Sequence, residues 1–289
     1  MEIDWKEVST KKEERKMMKL ARFSRILATR ATEISYALIA VYIVKRCLSM
    51  RNEGRLPFIS SHFPFDYLTS PIFELTFVLQ VIGAVYFTTV YTSVDTFLTM
   101  LILHVCGQLS RLQEDLINLN SNTREEFQKK LGYIVRRHDH LNRFVDTIEE
   151  QFNIMLLVQM LGCTLQLCIE CFQGLMLMAG EGEKMPLIEM FFFAFYVFYV
   201  LLQLYLYCYV GEKLWTESTE VARAAYECKW YDFLPHEAKS LILIIHRSRS
   251  PLRLTAGKFC TFNHELYSSV LKTSMGYLSV LRTTMIKDD

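Results

Sequence analysis

Four groups of residues have the types and spacing that could carry chemistry. Cys163, Cys168 and Cys171 lie with Glu170 in one short stretch, a thiol and carboxylate set of the kind that holds a soft metal. No histidine lies nearby, and thiols inside an apolar run are ordinarily packing residues. Glu170 would cost roughly 2.5 to 3.5 kcal/mol at a bilayer centre, so it is expected to face a bundle interior or an interface. His138-Asp139-His140 offers the groups of a proton relay, but it sits among Arg136, Arg137 and Arg143, so solvation or helix-anchoring contacts are expected instead. His236-Glu237 and His264-Glu265 lack the second histidine of a zinc-protease helix. There is also no glycine-rich phosphate loop and no Gly-x-Ser-x-Gly elbow. An enzyme is not expected, nor is a metal or cofactor.

The fourth group is less conventional. The apolar segment Phe259 to Ile286 contains His264, Glu265, Lys272 and Arg282, which would be expensive facing lipid. At 100° per residue, Ser269, Thr273, Gly276, Val280 and Thr283 share one helix face, while Leu271, Tyr277, Leu278 and Leu281 fall on or toward the other. Such a small, hydroxyl-bearing stripe fits a close helix–helix contact. It equally fits a pore wall, in which hydroxyls replace part of an ion's hydration shell and Val280 forms a hydrophobic constriction. The pattern leaves both open.

The elements that must position these groups are membrane spans. Leu187 to Gly211 is apolar and aromatic apart from Glu189 and Gln203, and about 20 such residues cross a ~30 Å hydrocarbon layer. Four further candidates lie at about 27–44, 72–94, 152–179 and 259–286, giving an all-α, polytopic helix bundle in a single domain over 1–289. Hydrophobic residues make up 51% of the chain and charged residues 22%, so much of it must lie outside lipid. With Met1 to Arg30 inside, 24 of the 32 Lys and Arg residues fall on the cytosolic side, the direction of the positive-inside bias. The cytosolic segments are then 1–26, 107–150 and 212–258, and the C-terminus emerges outside.

The second span has no proline from Ile72 to Asn118, so one helix is expected to run on into the cytosol. A stripe of Phe127, Leu131, Ile134, Val135, Leu141, Phe144 and Ile148 carries helical periodicity into the third span. Asp95 falls about one membrane thickness below Pro71, where its charge is expected to be solvated. The loop Ser49 to Ser70, with Pro57, Phe58, Phe63, Pro64, Phe65 and Tyr67, has the composition of an aromatic cap. The eight cysteines lack disulfide-framework spacing, Met1 to Arg30 is not a signal peptide, and a net charge of +1 without basic, aromatic-laced patches excludes nucleic acid as partner.

Pro251-Leu-Arg-Leu-Thr-Ala-Gly-Lys-Phe259, followed by Phe262, Tyr267, Val270-Leu-Lys-Thr-Ser274 and Tyr277-Leu-Ser-Val-Leu281, resembles the C-terminus of insect odorant receptors. The resemblance continues through Pro64, Ser70-Pro71, Asp95, His104, Gln108-Leu-Ser-Arg-Leu112 and Arg136-Arg-His-Asp-His140, and so covers essentially the whole chain. The Thr-Tyr and Gln-Phe ends of the sister gustatory-receptor motif are missing. No Asp-Arg-Tyr box or Asn-Pro-x-x-Tyr of a G-protein-coupled receptor occurs, and no paired helix breaks of a transporter.

The resemblance implies a tuning subunit of a ligand-gated, non-selective cation channel. It would form a heterotetramer with the olfactory coreceptor in the plasma membrane of olfactory neuron dendrites. Family members have seven spans, so the chain is expected to be a truncated gene model, isoform or fragment lacking the first two. Val280 matches the position of the hydrophobic gate and Thr283 lies one turn outward. Volatile odorants would enter an apolar pocket whose wall candidates here are Tyr36 and Tyr42, Phe73, Phe77 and Gln80, and Tyr196 and Tyr199. A gustatory-receptor-like channel or a non-conducting G-protein-coupled-type receptor stands as the alternative.

Overall fold

Backbone amides have no water to bond in hydrocarbon, so a chain that crosses it must close its hydrogen bonds within continuous helices. The computed structural model, which describes residues 11–64, 68–119, 123–179 and 187–287, meets that demand with four very long helices. They are α1 (Lys11–Glu53), α2 (Ile72–Ile117), α3 (Arg124–Ala179) and α4 (Leu187–Glu227). A 3-10 turn at Trp230–Asp232 leads to α5 (Pro235–Ser248). A two-stranded hairpin, β1 (Thr255–Ala256) and β2 (Cys260–Thr261), precedes α6 (His264–Lys287). The 56 residues of α3 would extend ~84 Å at 1.5 Å each, nearly three times a hydrocarbon layer. Each long helix therefore has a lipid half and an aqueous half, as the unbroken patterns from Ile72 and Glu125 lead one to expect.

The two halves bury opposite things. Toward α5, Leu98, Ile102, Leu109, Leu112 and Leu116 of α2 are at most 1% exposed and pack with Leu131, Ile134, Leu141 and Ile148 of α3, Leu214 and Val221 of α4, and Leu241 and Ile244 of α5. The expected α3 stripe is thus the aqueous core, with Val135 and Phe144 packed at its edge. Toward the α1–α2 loop the large apolar side chains turn outward instead, among them Leu75, Leu79, Ile82 and Phe87 on α2 and Val158, Leu161 and Leu165 on α3. An exposed apolar band on helices of this length is what acyl chains cover.

Among the described residues, four helices are long and apolar enough to cross a membrane, within Met17–Arg51, Ile72–Ile117, Arg124–Gly174 and Met190–Glu227. The last helix is not among them and starts later than the expected 259. Gly257 and Lys258 take φ of +58° and +64°, reversing the chain, and the pairs Thr255↔Thr261 and Ala256↔Cys260 hold the hairpin. Asn263 then caps α6, its Oδ1 accepting from the Leu266 amide at 2.7 Å. Cys260 and Phe262, which read as membrane residues in sequence, belong to this hairpin and linker.

The family-like segment before α6 is thereby a clamp. Glu149 of α3 accepts from the Thr255 amide at 3.1 Å and from its hydroxyl, and the Gly257 amide donates to the Asn153 carbonyl at 2.9 Å. A Cβ on Gly257 would lie 2.6 Å from Leu157 Cδ2, and one on Gly211 would lie 2.3 Å from the Phe262 carbonyl oxygen. Two other motifs meet across the bundle: Arg137 Nη2 donates to Gln108 Oε1 at 2.6 Å, and Gln108 is 2% exposed. His138 lies buried between Asn142 and Ser248, while Asp139 pairs with Arg143 at the surface, so the His-Asp-His run anchors α3 to α5.

Two outcomes follow from this clamp. Gly211→Ala and Gly257→Ala should each destabilise the purified protein by about 1–3 kcal/mol, whereas Gly83→Ala, with nothing within 4 Å of the added methyl, should leave the melting temperature unchanged or raise it. Burial, helped by the nearby Arg247 guanidinium, holds the His138 imidazole below its ordinary value of 6.5. The unfolded chain therefore takes up a proton that the folded chain resists. The stability tied to His138 is full above pH 6.5 and falls as the pH drops below it, so melting curves at pH 7.5 and 5.5 should separate more for the parent than for His138→Gln.

Candidate functional site

The sequence candidates on three helices meet at the loop end of the bundle, around a residue that the loop itself supplies. Phe58 is 3% exposed and sits edge-on to Tyr42 of α1 at 5.0 Å and to Phe77 of α2 at 5.9 Å between ring centres. Phe73 adjoins Phe77 at 6.3 Å, and Phe192 of α4 joins Tyr42 at 5.6 Å and stacks with Tyr196 at 6.2 Å. Tyr42, Phe73, Phe77 and Tyr196 thus form one aromatic tier whose connecting members are Phe58 and Phe192. Neither was a candidate. Phe58 reads in sequence as part of an aromatic cap, and Phe192 lies in a run where seven of the nine residues from Phe191 to Tyr199 are aromatic.

Polar contacts hold Phe58 in place. The Tyr42 hydroxyl donates to the Phe58 carbonyl at 3.0 Å, and Arg46 Nε donates to the Pro57 carbonyl at 2.6 Å. Gln80 is a clamp for the loop: its Nε2 donates to the Ile59 carbonyl at 3.0 Å and its Oε1 accepts from the Ile59 amide at 3.2 Å. Arg55 lies over the Phe73 ring at 5.6 Å and Lys45 over Phe192 at 5.2 Å, closing the tier with cations on aromatic faces. Dispersion and edge-to-face ring contacts dominate such a lining, which suits a small apolar molecule.

Tyr36 and Tyr199 lie one to two turns deeper and do not join the tier. The Tyr36 hydroxyl pairs with Thr89 Oγ1 at 2.8 Å while its ring is 39% exposed. Tyr199 meets Ser35 Oγ at 3.3 Å, and Ser35 also accepts from Thr92 at 3.3 Å. One turn further along α2 comes Asp95. It is 8% exposed rather than solvated, because amides from two other helices occupy its oxygens: Gln159 Nε2 donates to Oδ1 at 2.6 Å and Gln203 Nε2 to Oδ2 at 2.8 Å. Gln203 also bonds the Tyr91 hydroxyl, and the Tyr207 hydroxyl donates to Gln159 Oε1 at 3.0 Å.

Tyr207 connects this carboxylate to the base of α6, for its ring lies 5.7 Å from Phe262. Tyr205, one strip over, stacks with His264 at 6.0 Å and meets Tyr267 edge-on at 5.5 Å, and Glu212 accepts from the His264 amide at 3.3 Å. Leu266, Tyr267 and Val270 turn toward the core. Ser269, Thr273 and Gly276 are exposed beside this packed face, and a Cβ on Gly276 would meet nothing within 4 Å. The side chains of Val280 and Thr283 lie outside the described residues, as do those of Tyr277, Leu278 and Leu281.

Cys163 is buried, Cys168 is exposed, the Cys171 side chain is outside the described set, and among the described residues no cluster of metal-binding side chains occurs. Glu170 is half-buried within electrostatic reach of Lys45. Glu237, beside His236, is 6% exposed and accepts from the Leu234 amide at 3.1 Å, which makes it a helix-start residue rather than a ligand.

Comparisons with known proteins agree with this architecture. The family model described as 7tm Odorant receptor matches residues 1–275. Odorant receptor 13a of Drosophila melanogaster is 28% identical over 244 residues, covering 78% of this chain and 57% of that protein. The odorant receptor coreceptor of Aedes aegypti is 33% identical over 152 residues, 52% of this chain and 30% of that protein. The chain spans little more than half the length of the first of these relatives. The solved structure of the insect olfactory receptor OR5 from Machilis hrabei in complex with eugenol superposes with a TM-score of 0.83 at 17% identity, covering 95% of this chain and 70% of that one, and so shares the fold. Its helices, the matching family model and the relatives together make this a multi-pass membrane protein that belongs to the seven-transmembrane odorant receptor family.

Proposed function

We propose that this chain is an odorant-detecting subunit of a ligand-gated, non-selective cation channel formed with the olfactory coreceptor. The observation that carries the reading is the division of α6. Leu266, Tyr267 and Val270 pack on its own bundle, while the small, hydroxyl-bearing positions Ser269, Thr273 and Gly276 are exposed, with open space beside Gly276. A face of that kind needs a polar neighbour in a membrane, which a wetted pore between four subunits supplies. In this arrangement Val280 is the constriction and Thr283 stands one turn outward.

The N-terminus and the α5 half lie in the cytosol and the C-terminus outside, in the plasma membrane of sensory neuron dendrites. The aromatic tier is the odorant chamber. Phe58 occupies its centre and limits the size of molecule that the wall of Tyr42, Phe73, Phe77 and Tyr196 admits. Tyr36 and Tyr199 form the deeper, hydroxyl-bearing floor. Displacement of the tier reaches α6 through the Asp95 cluster, Tyr207 and Phe262. The known receptors are not enzymes, and nothing in this reading requires one.

Co-expression with the coreceptor should give odorant-evoked cation current, and Val280→Arg should abolish it or change its ion selectivity; an unchanged current would remove Val280 from the conduction path. Phe58→Ala should shift half-maximal concentrations by about tenfold in favour of bulkier odorants, and Phe58→Trp by a similar factor toward smaller ones. A uniform loss of response across odorant sizes would place Phe58 outside the chamber.

A further inference from the structure

A cleft of about 830 Å³ opens between the first turns of α1 and the second half of α2, remote from the aromatic tier. Its floor is dry: Met17 is 6% exposed and Leu103 1%. Its wall holds Phe97 and Met100, which remain 49% and 36% exposed although they lie below the buried Asp95. Arg22 and Arg25, one turn apart on α1, stand exposed on the rim, and among the described residues no carboxylate lines the cleft. We propose that this cleft is a binding site for an anionic phospholipid, with the phosphate held between Arg22 and Arg25 and an acyl chain laid against Phe97 and Met100.

Depth and charge both select this occupant. Lys19, Arg22, Arg25 and Arg30 gather where α1 enters its apolar run, and on α2 the level of Asp95 is about 24 residues, or ~36 Å, below Pro71. Both helices therefore bring the cleft to the headgroup layer of one leaflet, with its apolar wall within reach of acyl carbons. Two guanidinium groups on successive turns present planar donors that match phosphate oxygens. With no acidic group among the described lining residues, the choline of a zwitterionic lipid finds no counter-charge there, whereas an anionic headgroup does. The site rests on the bilayer placement used in the proposed function and is independent of conduction.

The test uses the full chain carrying Phe97→Trp in phosphatidylcholine vesicles, titrated with acyl-brominated phosphatidylserine or acyl-brominated phosphatidylcholine. Quenching of the introduced indole is read above the background of the parent's Trp5, Trp215 and Trp230. Half-maximal quenching should need about tenfold less brominated phosphatidylserine than phosphatidylcholine. Arg22→Gln with Arg25→Gln should erase that preference, and Arg22→Lys with Arg25→Lys should retain most of it. Equal titrations by the two lipids, a preference that survives the glutamine pair, or no quenching by either lipid because polypeptide covers the cleft would each overturn the site. Vesicles carry both lipids in both leaflets, so the preference does not depend on orientation. An epitope-accessibility measurement at Asp289 tests the topology separately.

Discussion

A carboxylate placed where four helices leave the hydrocarbon must be paid for, and the way Asp95 is satisfied organises the bundle. An unpaired charge at that depth costs several kcal/mol, so each of its oxygens needs a donor. The donors come from α3 through Gln159 and from α4 through Gln203, fixing the rotation and relative height of three helices at one level. On one side of that level the apolar side chains point out to lipid; on the other they form a buried core in the manner of a soluble bundle. Tyr91 and Tyr207 extend the cluster sideways, so the junction is a layer rather than a single pair.

This layer also stands between the two ends that the proposed function requires to communicate. Above it lie the hydroxyls of Ser35, Thr92 and Tyr199, and above those the aromatic rings closed by Phe58. Beneath and beside it lie Tyr207, Phe262 and the hairpin from which α6 departs. The glycines at 211 and 257 let the hairpin approach α4 and α3 closely enough that a methyl group would not fit. α4 therefore meets the linker at the base of α6 by direct contact at Gly211 and Tyr207 with Phe262.

Much of this was legible in the residues, for identifiable reasons. The long helices follow from apolar runs without proline, the aqueous core of α3 from its periodic stripe, and the outward stripe of α6 from the angular spacing of Ser269, Thr273 and Gly276. What escaped depends on distant pairs. Asp95 read as solvated because its partners lie 64 and 108 residues away, and no local pattern links an aspartate to a glutamine on another helix. α6 begins later than its hydropathy suggests because Phe259, Cys260 and Phe262 have the apolar character of a span, while the turn at Gly257-Lys258 depends on positive φ values. That Phe58 and Phe192 join the tier while Tyr36 and Tyr199 lie deeper is not legible in an aromatic-rich sequence, which does not say which rings face inward. Gln80, chosen as a wall residue, instead holds the loop that delivers Phe58.

The central claim is that the hydroxyl stripe of α6 is wetted and lies on the conduction path. Cysteine substitution at Ser269, Thr273 and Gly276, followed by a membrane-impermeant, positively charged thiol reagent applied during odorant-evoked current in the assembly with the coreceptor, tests it most directly. The account predicts that modification proceeds faster in the open channel and reduces the current at all three positions, while the same substitution at Val270, on the packed face, is inert. Labelling of the three positions only by a lipid-soluble reagent, with current unaffected, would contradict it.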